Sequence, residues 1–354
     1  MVNRIQLLKK SFEKNELDAY IVTDETNMFY FTGFEGGARL LVPADSEIIL
    51  FVYGVNYDDA KATVKNCNVE PMQRGDDLNK KVADQCKKLK TKRVGFDNLD
   101  VASYLGLKKN LKKIQLKTAG QAVWDLRRVK DDTELHNMRK AAELTDAGAK
   151  AAVEALKPGI REYELAAEVE YAMRKLGSDG TAFETIIASG LRSAFPHGGC
   201  TSKKVGKGEL IQFDIGARYQ HYAADLTRTF LIGKPTPKQQ KMYKAVMEAQ
   251  EKAFQKIREG AKGRLVDAAA REIIKKHGFG QNFPHGLGHG VGLAVHELPT
   301  LSNVSKDILK AGNVVTNEPG VYVVGYGGVR VEDTVLVKKD GAERLTKASY
   351  ELPV

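Results

Sequence analysis

The stretch LIQFDIGARYQHYAADLTRTFL, residues 210–231, decides how this chain folds. Its first part, Leu210-Ile211-Gln212-Phe213, reads as a buried strand continuing to Ala217, and Tyr222–Leu231 reads as a second. Tyr219-Gln220-His221 between them predicts a hairpin turn. Asp214 and Asp225, eleven residues apart, then fall side by side on adjacent strands. A carboxylate in an apolar strand is costly unless it is paired or bound to metal. Taken singly, either aspartate fits a structural ion pair as well as a ligand.

Around this stretch a helix pair followed by strands occurs twice. Asp131–Leu156 is rich in Ala, Glu and Lys and is stopped by Pro158-Gly159; Arg161–Leu176 is a second helix, ending at Gly177. Strands follow at Thr181–Ala188, Leu210–Ala217 and Tyr222–Leu231. Helices Pro237–Arg258 and Leu265–Lys276 then precede β-rich runs at Gly290–Val295, Val314–Thr316, Val321–Val324 and Val329–Val337. The repetition predicts two related halves forming one α+β domain with a pseudo-two-fold axis. Earlier in the chain, strands at Ala19–Val22, Arg39–Val42, Glu47–Tyr53, Arg93–Phe96 and Ile114–Leu116 alternate with helices at Arg4–Asn15, Asp77–Leu89 and Val101–Lys108. Asp58–Val64 adds a short helix. That alternation predicts an α/β domain. It gathers no catalytic residue types and reads as a scaffold or specificity domain. The expected division is residues 1–122 and 123–354.

Two domains also suit the 354 residues, of which 42% are hydrophobic and 28% charged. No run approaches the ~20 apolar residues of a membrane helix. Residues 1–18 mix Lys, Arg and Glu with Leu and Phe at helical spacing, the pattern of an amphipathic helix rather than a signal peptide. Three scattered cysteines (Cys67, Cys86 and Cys200) argue against a disulfide framework and for a reducing, cytoplasmic setting. The net charge is +10, with lysines clustered at residues 80–93 and 108–117. Few aromatics interleave them and no nucleic-acid motif is present, so they read as a solvated surface and nucleic acid is disfavoured as a partner.

Five short motifs carry the chemistry: Phe213-Asp214-Ile215-Gly216, Ala224-Asp225-Leu226-Thr227-Arg228-Thr229, His285-Gly286-Leu287-Gly288-His289-Gly290, Asn317-Glu318-Pro319-Gly320 and Val329-Arg330-Val331-Glu332-Asp333. Each sets an acidic or imidazole side chain in or beside an apolar strand. Arg330 and Glu332, two apart on one predicted strand, share a face. A lone glycine-flanked histidine, or a glutamate before Pro-Gly, is ordinarily a loop or turn residue. Together the five read differently. Four converging carboxylates repel unless cations sit among them, and two divalent ions offset their charge. Hard oxygen ligands with one nitrogen suit Mn²⁺, Co²⁺ or Zn²⁺.

The order and spacing of these motifs resemble the pita-bread metallopeptidases (family M24), in the branch of proline dipeptidase (prolidase) and aminopeptidase P. The likeness spans nearly the whole chain: residues 1–122 look like the family's creatinase-type N-terminal domain, and Trp124–Arg139 like its inter-domain entry. It implies Asp214, Asp225, His289, Glu318 and Glu332 as ligands of two divalent ions, Mn²⁺ or Co²⁺ first and Zn²⁺ or Fe²⁺ also compatible. It implies His197 and His296 as groups facing substrate, with His285 and Arg330 supporting the site. His136, His221 and His277 match no motif and read as surface or packing residues. A homodimer is implied as well.

The resemblance further implies cleavage between an N-terminal residue and a following proline in short peptides. Glu318 would hold the nucleophile's proton and pass it to the proline nitrogen, while His197 and His296 stabilise the developing oxyanion. Arg330 would orient Glu332. A dipeptidase must also grip the free carboxylate of Xaa-Pro. The position four residues after His296, where archaeal-type prolidases often carry an arginine, is Thr300. That difference favours Xaa-Pro aminopeptidase, with the dipeptidase as the alternative if Arg192 or a partner residue supplies the anchor. The first domain and the Phe195-Pro196-His197-Gly198 segment argue against methionine aminopeptidase, and the complete ligand set argues against metal-free creatinases and non-catalytic binding relatives.

Overall fold

The computed structural model describes residues 4–351. The chain divides into two compact units, Met1–Arg127 and Arg128–Val354. The first holds a six-stranded mixed sheet of β1 (Ala19–Val22), β2 (Gly37–Pro43), β3 (Ile49–Tyr53), β4 (Asn68–Met72), β5 (Arg93–Phe96) and β6 (Gln115–Thr118), in the order β4-β3-β2-β1-β5-β6. Its helices are α1 (Arg4–Asn15), α2 (Glu25–Thr32), α3 (Tyr57–Thr63), α4 (Leu78–Lys88), α5 (Val101–Asn110) and α6 (Gly120–Arg127). Every residue of β1 is buried, as the run Ala-Tyr-Ile-Val demands. Ile21, Phe51 and Val94 from the sheet share a core with Val82 of α4 and Leu107 of α5.

Three elements here escape the sequence pattern: α2, β4 and α6. The helix α2 is apolar or aromatic around most of its circumference, so it shows no 3.6-residue stripe. Its signals are at its ends, where the Asp24 side chain caps Asn27 N–H and Gly33 takes a left-handed conformation. Strand β4 contains Pro71, which a sheet tolerates only at an edge, and β4 is the edge strand.

The second unit begins with α7 (Asp132–Ala155) and α8 (Glu162–Lys175), followed by β7 (Gly180–Thr181), β8 (Ile186–Ser189), β9 (Leu210–Ile215), β10 (Ala217–Tyr219), β11 (Tyr222–Ala223) and β12 (Leu226–Leu231). The second round consists of α9 (Pro237–Phe254), α10 (Gly263–Lys276) and strands β13 (Gly288–Gly290), β14 (Glu297–Leu301), β15 (Val314–Asn317), β16 (Gly320–Val323), β17 (Gly327–Arg330), β18 (Asp333–Lys338) and β19 (Gly341–Arg344). Reciprocal capping boxes start α7 (Asp131 with Glu134) and α9 (Thr236 with Gln239). Each helix pair covers its own strands. Ala152, Leu165 and Val169 pack with Phe213, Leu226 and Phe230 in one core. Met242, Val246, Val266 and Ile274 pack with Val315, Val321 and Val335 in the other. The doubled pattern expected from the sequence is present.

Several continuous strands expected from the sequence are interrupted, two of them at the acidic residues Asp225 and Glu332. The run Tyr222–Leu231 breaks at Ala224-Asp225, where Asp225 N–H donates to Thr334 Oγ1 instead of a strand neighbour (2.9 Å). The run Val329–Val337 breaks at Val331-Glu332, so Arg330 and Glu332 do not share one regular strand; Glu332 N–H donates to Thr227 O at 3.0 Å. The expected strand Gly290–Val295 is a loop beyond Gly290, and the ladder resumes only at β14.

Candidate metal centre

Asp214 lies within β9, opposite Thr227 of β12. The predicted turn is present, with Gln220 and His221 at positive φ between β10 and β11. It returns the chain so that Asp225 arrives just before β12. A side chain on Gly216, between the two aspartates, would collide with the Ala224 carbonyl, so only glycine permits this close crossing. His289 occupies the middle of β13, and β-carbons on its neighbours Gly288 and Gly290 would strike the backbone at Thr316 and Leu298. Those glycines let three strands close around one imidazole. Glu318 follows β15, and Glu332 sits in the gap between β17 and β18.

All nine residues singled out in the sequence line one cavity of about 650 Å³: His197, Asp214, Asp225, His285, His289, His296, Glu318, Arg330 and Glu332. Phe183, Ile186, Pro196, Pro284 and Val295 supply its apolar wall. One ligand atom each from Asp225, His289 and Glu332 lie within 4.8 Å of one another. The His289 Nε2 atom is 3.3 Å from Glu318 Oε1 and 3.7 Å from Asp225 Oδ2. The His296 ring lies 4.3 Å from that of His289. The other histidines, His136, His221 and His277, lie outside the cavity lining.

The carboxylates divide by what balances them. Asp214 meets the Arg330 guanidinium directly. Arg330 also donates to Tyr322 OH (2.9 Å) and to Thr227 Oγ1 (3.0 Å). It was expected to orient Glu332, yet its direct carboxylate partner is Asp214. It reaches Glu332 only through Thr227, whose hydroxyl donates to Glu332 Oε2 at 2.6 Å. Asp225 Oδ1 is buried with no hydrogen-bond partner among the described residues. Burial, and then the charges of neighbouring carboxylates, hold Asp225 and Glu332 well above the ordinary carboxylate range. Burial also raises Asp214, with Arg330 opposing. Burial opposes the charged forms of Glu318 and His289 too, but their mutual contact outweighs it, leaving the glutamate acidic and the imidazole basic. A buried, unpartnered carboxylate oxygen facing a cluster of acids is the donor set a divalent cation fits.

Sequence reasoning missed Tyr322, whose hydroxyl joins His285 Nε2 (3.0 Å) to Arg330. Nothing local in Gly320–Val323 marks it, because Arg330 meets it across the β16–β17 hairpin and His285 lies 37 residues away. A brace behind Glu332 was also missed. Arg228, almost wholly buried, donates to the Glu332 carbonyl (2.6 Å), to Asp333 Oδ1 (2.8 Å) and to the carbonyls of Ala348 (2.9 Å) and Ser349 (3.1 Å). The Tyr350 ring covers its guanidinium at 4.2 Å, and the Tyr350 hydroxyl donates to Asp333 Oδ2. Arg192, weighed as the carboxylate anchor, and Thr300, which stands where an anchoring arginine is missing, are both engaged elsewhere. Thr300 is bonded to Asp307 through its N–H and its hydroxyl, and Arg192 is paired with Glu162. Neither lines the cavity.

An α/β unit followed by a duplicated α+β unit with a carboxylate–imidazole cluster at its centre defines a two-domain metallohydrolase. The chain belongs to metallopeptidase family M24: residues 136–339 match that family, and residues 4–129 match the creatinase/prolidase N-terminal domain. The fold is thus the creatinase-type domain followed by the pita-bread domain. The chain is 39% identical to a Xaa-Pro dipeptidase of Pyrococcus furiosus, over 99% of this chain and all of the relative. A Xaa-Pro dipeptidase structure from Bacillus anthracis superposes with a TM-score of 0.94 at 34% identity, covering 99% of both chains. An X-Pro aminopeptidase structure from Thermotoga maritima superposes at 0.88 with 32% identity, covering 98% of this chain and all of that one. No helix among the described residues is long and apolar enough to cross a membrane.

Proposed function

We propose that this chain is a Xaa-Pro dipeptidase that binds two divalent ions through Asp214, Asp225, His289, Glu318 and Glu332. One observation carries the reading: all nine residues singled out in the sequence line a single cavity in a chain that aligns end to end with a relative named Xaa-Pro dipeptidase. Thr300 had favoured the aminopeptidase. The relatives favour the dipeptidase instead, and that is the reading adopted. Mn²⁺ or Co²⁺ suits the ligand set best, with Zn²⁺ and Fe²⁺ compatible. Residues 123–354 would form the catalytic domain and 1–122 the creatinase-type domain, in a cytoplasmic homodimer.

When bound, the ions supply Lewis acidity and a water ionised near neutral pH. The protein's own groups do the rest. Glu318, held acidic beside His289, is an ionised base able to accept a proton and deliver it to the leaving proline nitrogen. His197 and His296, the exposed imidazoles of the cavity, donate to the developing oxyanion or to the dipeptide's carboxylate. Phe183, Ile186 and Pro284 offer the proline ring an apolar wall. The scissile nitrogen of Xaa-Pro bears no hydrogen, so that wall needs no acceptor. Arg330 holds Asp214, and His285 is fixed by Tyr322.

The aminopeptidase stands second, favoured by Thr300 and by the Thermotoga structure. The test is hydrolysis of a Xaa-Pro dipeptide and a Xaa-Pro-Yaa tripeptide by metal-stripped protein with and without added Mn²⁺ or Co²⁺. Metal-dependent cleavage confined to the dipeptide is expected. Preference for the tripeptide would establish the aminopeptidase, and no cleavage with any metal would overturn both readings.

A further inference from the structure

The loop Phe195-Pro196-His197-Gly198-Gly199-Cys200 carries three residues of the cavity wall, Pro196, His197 and Gly199, yet belongs to no sheet ladder. The exposed His197 side chain makes no hydrogen bond among the described residues, so no polar contact of its own holds the imidazole and the path of the loop backbone decides which part of the cavity it can reach. Within the loop, Phe195 N–H donates to Arg192 O and Gly198 N–H to Phe195 O, both at 3.0 Å. The two carbonyls following His197 are held from behind the cavity. Arg192 Nη2 donates to Gly198 O and, at 3.1 Å, to Gly199 O.

Arg192 is in turn fixed by its other edge. Its Nε donates to Glu162 Oε2 at 3.1 Å. Glu162 is fully buried at the first position of α8, where the helix dipole favours an anion. Its carboxylate also accepts from Ser189 N–H (2.8 Å) and Oγ (2.9 Å) and from Thr201 N–H (3.1 Å) and Oγ1 (2.6 Å). Ser189 ends β8 and Thr201 follows Cys200, so one carboxylate ties both flanks of the 190–200 excursion to the helix. Its fifth donor, Arg192, spans from that anchor to the loop tip. A planar guanidinium can serve a carboxylate on one edge and two carbonyls on the other, a geometry lysine cannot copy.

We infer that Glu162 and Arg192 are positioning residues that clamp the 195–200 loop and thereby aim His197 into the cavity. This rests on the peptidase reading given above, and its test separates the two. The clamp predicts a specific non-additivity. Arg192→Ala should lower kcat/KM for a Xaa-Pro dipeptide about 10- to 100-fold, the scale of a misplaced catalytic group, with bound metal unchanged. In a His197→Ala background the same substitution should cost less than about 2-fold, because the group it positions is gone. Arg192→Lys should recover part of the loss. Equal losses in both backgrounds, or no loss in Arg192→Ala alone, would overturn the clamp. If Arg192→Ala does not fold, Arg192→Lys runs the same cycle: a loss confined to the His197 background supports the clamp, and equal losses or none overturn it. Hydrogen exchange of segment 195–201 gives a readout independent of turnover. Faster exchange confined to that segment is expected in the Arg192 variant, and unchanged exchange would overturn the clamp. Wild-type protein inactive on every Xaa-Pro peptide would sink the peptidase reading, leaving exchange to decide the clamp.

Discussion

Asp214 and the pair Asp225–Glu332 face the same cavity from different situations. Asp214 sits inside a regular ladder, opposite Thr227, with a guanidinium against it. Asp225 and Glu332 sit in the gaps between strands, and among the described residues no arginine or lysine side chain pairs with either carboxylate; Asp225 even keeps a buried oxygen without a partner there. The protein has set a guanidinium against the carboxylate on one side of the site and only the His289 imidazole, 3.7 Å from Asp225 and shared with Glu318, on the other. The less balanced side is the one where the proposed cations would offset the most charge.

This contrast can be broken in four ways, taken from the largest effect down. Asp225→Ala or Glu332→Ala should lower metal-dependent turnover by about 10³-fold or more and reduce bound metal in atomic spectroscopy; a variant with normal turnover would end the dinuclear reading. Arg330→Met leaves Asp214 buried without its partner and should cost the metal-free protein about 3–5 kcal/mol in urea unfolding. A cost below about 1 kcal/mol would show that Asp214 does not depend on Arg330.

Third, the response to pH has a fixed sign. Asp225 and Glu332 have folded-state pKa values above their unfolded ones, so the native state holds protons that the unfolded chain has released. His289, raised to about 9 against 6.5, contributes stability that is complete below pH 6.5 and lost as pH rises through 9. All three make metal-free protein less stable as pH rises. Bound cations displace these protons. Thermal melts should therefore show the gap between metal-loaded and metal-stripped protein widening from about pH 6 to about pH 9, and a narrowing gap would contradict the assignment. Last, Tyr322→Phe removes the hydroxyl linking His285 to Arg330 and should cost about 0.5–1.5 kcal/mol with bound metal retained. Loss of metal in this variant would place Tyr322 closer to the ions than its contacts indicate.

The same contrast explains what the sequence revealed. Ala19–Val22, Arg93–Phe96 and Arg4–Asn15 were legible to the residue because burial and periodicity act locally. Asp214 was placed in its strand for the same reason. Asp225 and Glu332 were singled out and do line the cavity, but the strands assigned through them were wrong, since their backbone N–H groups bond to Thr334 and Thr227, distant in sequence. Arg330 was paired with the nearest acid along the chain, whereas its partner lies 116 residues away. Arg192 was weighed as a substrate anchor on charge alone, and its use by Glu162 appears only in three dimensions.

The Arg228 brace has a practical consequence. Residues 348–350 look like a tail, but two of their carbonyls and one aromatic ring are what Arg228 rests against while it holds the Glu332 backbone. Removing residues 349 and 350 would therefore act as a mutation of the cavity wall at Glu332.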